Sequence, residues 1–426
     1  MQNVERGAVL MLGLRYLISL IGQQERRVPM SQAVVFKLLG RRVRLGLIGG
    51  AQGSLIGPVH RTAARLDDCF DLAAGVFSSD PERSLNSAYA FGIKRGYADV
   101  WSMIEAETLR ADGIDAVAIM TPNDSHYEYA AAALDAGLDV ICDKPLTNDY
   151  DSALALARKA HDRGRILSLT HNYSGYPMVR EARATVTGGE IGALRLVNVR
   201  YVQGSLSRPV EAEPDKMAPR TKWRLDTAKG GKSHVLGDIG VHAHQLMSFV
   251  CGRRIAAVLA DVGPSLPGRT AHDTAQVILR FDDGTRGQML VSKVATGAQN
   301  VVSIEAYGED GGISWNQAEA NDLRVMRLNR ADELRTRGLP SLHPHAQRGT
   351  RLPTGHPEAF FEAFANIYTD FAELVAARIA GAEPDPLAEL TPNAWTGVDG
   401  LAFIDACLQS TATGTWADVV YEHDRY

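Results

Sequence analysis

The chain holds 426 residues, 45% hydrophobic and 22% charged, with a formal net charge of -5. That length exceeds one ordinary core and asks for two domains, while the apolar fraction excludes a mostly disordered chain. The slightly acidic balance leaves no electrostatic footprint for nucleic acid or an anionic membrane.

Cys69, Cys142, Cys251 and Cys407 are scattered and form no C-x-x-C pair. Neither a zinc site nor a disulfide framework is expected, and a reducing, cytoplasmic setting fits best. The strongest nucleotide-binding signal begins near residue 43, which leaves residues 1–42 as an N-terminal extension. Its apolar run from Ala8 to Ile21 is interrupted by Arg15 and is too short for a membrane span. Glu5 and Arg6 before it, and Gly22-Gln23-Gln24 after it, fit a signal peptide poorly. The extension reads either as an arm on a neighbouring subunit or as an upstream translation start, Met30 being the natural alternative.

From Val43 onward, short apolar runs alternate with helical stretches, as in successive β-α units of a parallel sheet. Strands are expected at 43–48, 70–77, 116–120, 140–142 and 166–171, with helices from Val59, after Asp80-Pro81, over 127–136 and over 152–161. Beyond about residue 190 the texture changes to alternation: 194–202, 275–281, 287–294, 301–307 and 323–328 read as strands, with a hairpin turn at Asp283-Gly284. A helix over 233–250 interrupts this series and a long one over 357–379 follows it. The tract 331–357 has four prolines and no periodicity and reads as a loop. The expected class is α/β: an N-terminal Rossmann doubly wound parallel sheet (43–170), then an α+β domain with a large, mainly antiparallel open sheet (171–410) and a tail (411–426). The C-terminal helices are free to pack back on the first domain.

The first strand runs into Gly49-Gly50-Ala51-Gln52-Gly53-Ser54-Leu55-Ile56-Gly57. Glycines there let the backbone turn tightly and approach a pyrophosphate at a helix N-terminus. Ala51 stands where a strict G-x-G-x-x-G has its second glycine, but the strand-loop-helix context is the required one. The second strand ends twenty-one residues beyond Gly57, at Ser78-Ser79, with Arg83 close by. An acidic residue at that place would select NAD. Small hydroxyls plus an arginine would accommodate a 2′-phosphate, while Asp80 is either a ribose contact or a helix cap, so NAD and NADP both stay open.

Two distant stretches look chemical. In Asp143-Lys144-Pro145, a lysine stands at the carboxyl end of a parallel strand, where open α/β sheets place their ligands. In Asp238-Ile239-Gly240-Val241-His242, the carboxylate and imidazole are four apart and share one helical face. Such a pair can orient an imidazole for proton transfer near neutral pH. His234, His242 and His244 make a poor zinc set, because the last two point to different faces and no cysteine accompanies them; no metal is expected.

The glycine loop, Thr121-Pro122-Asn123 with His126, Asp143-Lys144-Pro145 and Asp238 to His242 together resemble the Gfo/Idh/MocA (glucose–fructose oxidoreductase / inositol dehydrogenase) family over roughly residues 43–410. That family usually has E-K-P where this chain has D-K-P. The resemblance implies Lys144, Asp238 and His242 as catalytic residues, and a cofactor site that includes Thr121, Pro122, Asn123, His126, Asp143 and Lys144 besides the glycine loop. It also implies hydride transfer between a secondary alcohol and a nicotinamide ring, and an open sheet that pairs subunits into homodimers or homotetramers. His242 is then the base, Lys144 the polarising cation and Asp238 the orienting group, with Lys144 as the alternative base if burial lowers its pKa.

Asn172, Tyr173, Tyr176, Arg180, Trp223 and Arg224 are candidate substrate contacts, since aromatic faces and hydroxyl-bonding groups suit a polyol ring; His356 is a further candidate. The expected substrate is a sugar, anhydrosugar, glycoside or inositol. Two other functions stay open: a glycoside hydrolase that uses tightly held NAD for transient oxidation, and a non-catalytic sugar sensor.

Overall fold

The computed structural model describes residues 30–423 other than 213, 214, 216 and 218. The expectations for residues 1–29 lie outside the described residues. Residues 30–42 open with a helix, α1 (Met30–Leu39), whose Val35 is fully buried.

The first sheet is built from β1 (Val43–Gly49), β2 (Phe70–Val76), β3 (Arg95–Gly96), β4 (Ala116–Met120), β5 (Asp139–Cys142) and β6 (Leu167–Leu169). They lie in the order β3-β2-β1-β4-β5-β6, every pair parallel. Helices α2 (Ile56–Leu66), α3 (Pro81–Ala90), α4 (Val100–Thr108), α5 (His126–Asp135) and α6 (Tyr150–Asp162) make the crossovers. Both faces are therefore covered, which is why β4 is a continuous run of Ala, Val, Ile and Met and why β1 is apolar or glycine throughout except for Arg44 near its start. Aspartates start three of the helices: Asp80, Asp99 and Asp149 each accept the N–H three residues on, the N-cap geometry that satisfies an orphan donor. The strand order reverses between β1 and β4, opening a crevice at the carboxyl ends of the strands.

After β6 the chain passes through α7 (Pro177–Thr187) to a nine-stranded sheet: β7 (Leu194–Val202), β8 (Ile255–Gly263), β9 (Thr274–Phe281), β10 (Arg286–Ser292), β11 (Val301–Gly308), β12 (Gly311–Asn316), β13 (Asp322–Arg327), β14 (Glu333–Thr336) and β15 (Ala417–Asp418). The order is β14-β13-β12-β11-β7-β10-β9-β8-β15, antiparallel except for β7 beside β10. In β9 and β10 burial alternates residue by residue, so one face packs inward and the other, with Gln276, Ile278 and Arg280, is open. Between β7 and β8 lie α8 (Pro219–Leu225), α9 (Thr227–Gly230) and α10 (Val241–Cys251).

Several boundaries differ from the expectation. The helix expected over 233–250 enters through a widened π-type turn, Leu236–Gly240, before the regular helix α10 begins. The tract 331–357 is not all loop: it contains β14 and α11 (Pro344–Arg348), elements too short for any periodicity to register. The long helix α12 (Phe360–Ala380) starts three residues later than expected, and a second, α13 (Ala394–Thr413), follows it. These two helices return to the first domain. Phe364, Tyr368 and Phe371 of α12 share a core with Val43, Leu45, Leu47 and Phe70, and the Tyr368 hydroxyl lies 2.7 Å from Nδ1 of His60 on α2.

Candidate active site

At the carboxyl end of β1, Gly49, Gly50 and Gly53 adopt positive φ values of 91°, 74° and 82°. A Cβ on Gly57 would stand 2.5 Å from the Gly50 carbonyl oxygen, so the loop lies directly on the first turn of α2. Ser54 Oγ accepts the Gly57 N–H at 3.1 Å, and Arg61 of α2 clamps the loop by donating to the Gly50 carbonyl at 2.8 Å. Leu55 and Ile56 open the helix, Leu55 largely exposed. Backbone N–H groups at a helix start, with no side chain in the way, form a cradle for a pyrophosphate. These residues fit a dinucleotide.

At the carboxyl end of β2, Ser78 Oγ accepts the Asp80 N–H at 3.1 Å, and Asp80 accepts the Arg83 N–H at 2.7 Å. Asp80 is thus the cap of α3. The Arg83 guanidinium reaches back 3.0 Å to the Gln52 carbonyl and bridges the glycine loop to this helix start, beside Ser78 and Ser79. His126, by contrast, is fully buried with its nitrogens 2.8 Å and 3.0 Å from the carbonyls of Pro145 and Thr121. It braces the Thr121-Pro122-Asn123 turn against the segment that leaves β5, so any part it has in the cofactor site is through the backbone it holds.

The Asp143-Lys144-Pro145 segment leaves β5 with a cis Lys144–Pro145 bond. Asp143 Oδ1 accepts both the Lys144 N–H at 3.0 Å and the Thr170 hydroxyl at 2.8 Å, which fixes where the lysine departs. Lys144 Nζ then donates to the Asp238 carbonyl at 2.6 Å and to Asp238 Oδ1 at 3.1 Å, joining residues 94 positions apart. The Asp238 carboxylate has a second partner that the sequence reading did not single out. Lys293, just past the end of β10, donates from its buried ammonium to Asp238 Oδ2. Asp238 lies in the widened turn, a local geometry that recurs at functional sites.

His242 lies in the first turn of α10, nearly buried. Its ring meets those of His171 and Tyr173 edge to face, at 5.4 Å and 5.2 Å between centroids. Burial, reinforced by Lys144 and His171, pushes its pKa well below the ordinary imidazole value. His171 is likewise pushed down to about 3, by burial first and Lys144 next. Nδ1 of His242, Nδ1 of His171 and Nδ2 of Asn172 are buried with no protein partner. Buried polar atoms are ordinarily paired, so three such orphans along one wall mark where a polar ligand or water completes the bonding.

The remaining candidates separate. The Tyr173 hydroxyl donates to that of Tyr201 at 3.1 Å, and Tyr201 in turn to Asn300 at 2.9 Å, which makes Tyr173 part of the wall behind His242. Tyr176 stacks behind Tyr173 and against Trp315 with 1% exposure, so it is core and supports the wall from outside the cleft. Arg180 is also enclosed. Its guanidinium is buried in a 2.6 Å ion pair with Asp370 of α12, which Arg348 shares, and the network holds α7 to α12. Trp223 and Arg224 lie on the short helix α8, Trp223 half-buried. The exposed His356 offers its carbonyl to Arg337. Among the described residues no cluster of three or more His, Cys, Asp or Glu is placed to hold a metal, and no helix is long and apolar enough to cross a membrane.

A doubly wound sheet with a glycine cradle, and a lysine-aspartate-histidine cluster where the second domain covers the strand ends, define a nicotinamide-dependent oxidoreductase. Residues 43–171 match the oxidoreductase family with an NAD-binding Rossmann fold, and residues 179–314 match the GFO/IDH/MocA C-terminal domain. The chain belongs to the Gfo/Idh/MocA family. It is 31% identical to the uncharacterized oxidoreductase YfiI of Bacillus subtilis, over 90% of this chain and 98% of that one. It is 25% identical to levoglucosan dehydrogenase of Pseudarthrobacter phenanthrenivorans, over 89% and 98%. The crystal structure of an inositol dehydrogenase homolog from Azotobacter vinelandii complexed with NAD+ superposes with a TM-score of 0.83 at 34% identity, covering 89% and 97% of the two chains. The same source has given a complex with NADH and myo-inositol, TM-score 0.80 at 32% identity, covering 89% and 98%. The chain is an NAD(P)-dependent dehydrogenase of the sugar and polyol class.

Proposed function

We propose that the substrate is a neutral cyclic polyol or sugar, oxidised or formed at one secondary alcohol, with Lys144, Asp238 and His242 as the catalytic residues. The observation that carries this reading is the contact of Lys144 Nζ with Asp238, beside the unpartnered atoms of His171, Asn172 and His242. The lysines and aspartates of the cleft, Lys144, Lys293, Asp143 and Asp238, balance in formal charge, which suits an uncharged ligand. The relatives named for levoglucosan and inositol act within the same class.

The bound nicotinamide supplies the hydride acceptor or donor. The chain supplies the rest. His242, kept neutral by its surroundings, takes the hydroxyl proton during oxidation and returns it in the reverse direction. The Lys144 ammonium stabilises the charge that develops on the same oxygen, and Asp238 holds Lys144 in place. If Lys144 is itself the base, His242 remains its neighbour and hydrogen-bond partner to the substrate. Arg83, with Ser78 and Ser79, keeps both NAD and NADP as cofactors within this reading. Association into homodimers or homotetramers through the open face of the nine-stranded sheet, where Ile278 and Leu290 are exposed, belongs to the same reading.

The test is a panel of myo-inositol, levoglucosan, D-xylose and 1,5-anhydro sugars with NAD+ and NADP+ side by side, followed by reduced-nicotinamide absorbance. Turnover of at least one cyclic alcohol, lost by about 100-fold or more in His242→Ala while cofactor binding persists, supports the assignment. Glycoside cleavage with no net cofactor reduction replaces it with the hydrolase.

A further inference from the structure

Lys293 is a buried cation beside the Lys144–Asp238 pair to which the catalytic scheme assigns no part. It stands one residue past β10, and its main chain is pinned at both ends: its N–H donates to the Asp273 carbonyl at 2.8 Å and its carbonyl accepts from Leu206. Its ammonium meets Asp238 Oδ2, while Lys144 from the other domain takes Oδ1. The three side chains are 4%, 14% and 11% exposed, for Lys293, Asp238 and Lys144 respectively, so solvent screens them poorly. One carboxylate is thus shared between two ammonium groups carried by two different sheets.

We propose that Lys293 is a positioning residue for the hydride-transfer reaction: by holding the second oxygen of Asp238 it fixes that carboxylate and leaves the charge of Lys144 only partly neutralised, available to the substrate oxygen. This rests on the reading of Lys144, Asp238 and His242 given above.

The charge count explains why a second lysine is useful. Without Lys293 the cleft groups Lys144, Asp143 and Asp238 sum to one negative charge at the point where an alkoxide develops; with it they balance, and the Asp238 carboxylate is not directed at Lys144 alone. Geometry adds a second effect. With one oxygen anchored from β10, the Asp238 carboxylate cannot rotate away from Lys144 when a substrate enters, so Lys144 is pre-aimed rather than recruited. Lys293 itself touches neither reacting atom in this scheme, which is why its removal acts on kcat and spares cofactor binding.

The experiment compares Lys293→Met, Lys293→Arg and His242→Ala with the parent enzyme, using the best substrate of the panel. Three quantities are read for each: kcat, KM for that substrate, and the NADH dissociation constant by fluorescence. Lys293→Met is expected to lower kcat by about 10- to 100-fold, with KM and the NADH constant changed by less than about threefold. Lys293→Arg, which keeps the charge and a donor, is expected to recover most of kcat. A folded Lys293→Met enzyme with parental kcat overturns the proposal. So does an arginine variant that folds, binds NADH normally and is as slow as the methionine one, since charge would then not be the property that matters. If His242→Ala retains turnover, the reading of the site falls instead, and the role of Lys293 with it; loss in His242→Ala with parental kcat in Lys293→Met removes the Lys293 proposal alone.

Discussion

The rings of His171 and His242 meet edge to face, 5.4 Å apart at 88°, and each keeps an Nδ1 atom without a protein partner. Two imidazoles packed this way beside the Lys144 ammonium are costly to protonate, and both are held down by burial first and by that lysine next. The consequence is kinetic. A base must be neutral to work, so the acidic limb of kcat/KM, which reports the free enzyme, should fall below the ordinary histidine range near pH 6.5. A pH-rate profile measures this, and an acidic limb centred above pH 7 would remove His242 as the base.

Stability should carry the same signature through a histidine outside the mechanism. His244 is buried against Phe403 with neither ring nitrogen paired, and burial lowers its pKa to about 4. The sign is fixed by linkage: between about pH 4 and 6.5 the unfolded chain binds the proton and the folded chain does not. The contribution from keeping it neutral is therefore present above pH 6.5 and lost as the pH falls through that window, by about 1.4 kcal/mol per pH unit. His244→Leu should be neutral or stabilising at pH 7 and should flatten the drop in Tm between pH 6.5 and 5. A parallel shift of the whole Tm curve, with unchanged slope, would contradict this.

The glycine cradle makes a separable prediction. In Gly57→Ala the new methyl meets the Gly50 carbonyl at 2.5 Å, and the contact is backbone, which cannot rotate aside. The loop must lift off α2, so NADH affinity should fall by about tenfold or more, while a loop displacement of this kind should cost about 1–3 kcal/mol of stability. Titration of NADH fluorescence alongside thermal melting checks both; unchanged affinity would mean that the loop does not contact the pyrophosphate.

Arg180 tests the line between site and scaffold. Replacing it with methionine leaves the buried Asp370 with Arg348 alone and should lower stability by about 3 kcal/mol. Substrate KM at a permissive temperature should stay within about twofold. A large rise in KM without loss of stability would return Arg180 to the cleft.

The sheets were legible because burial writes itself into strands plainly. β1 and β4 lie inside a doubly covered sheet and lack alternation, β4 as an unbroken apolar run and β1 broken only by Arg44 and its glycines, while β9 and β10 lie on a half-open sheet and alternate. β8 escaped notice because Ile255-Ala256-Ala257-Val258 has small residues on both faces and a mixed burial pattern. α13 was hidden by Gly397 and Gly400, which argue against a helix locally; Gly397 is needed because a Cβ there would stand 2.7 Å from Leu146 and Leu169. At the proposed site, Lys144, Asp238 and His242 were singled out through motifs in which several chemical residues stand close together, and the fold brings Lys144 to Asp238. Lys293 carries no such signal: Ser292-Lys293-Val294 is an ordinary strand end, and only the fold brings it to Asp238. Arg180 and Tyr176 show the opposite limit of the sequence. Each is a residue type common in sugar sites, yet here each is enclosed by side chains that arrive from far along the chain.

The contact between His60 and Tyr368 spans 308 positions, and the aromatic row of α12 that carries it fills the underside of β1 and β2. The half of the molecule that holds the nucleotide is therefore not an autonomous folding unit. During synthesis its sheet emerges first but must wait, with a long apolar slot open, until residue 380 has left the ribosome. A fragment ending near residue 171 should be sticky and poorly soluble even though every residue of the glycine loop is present. Damage to α12 far from any ligand should act as a loss of cofactor binding, so the C-terminal third of the chain sets when the enzyme becomes competent.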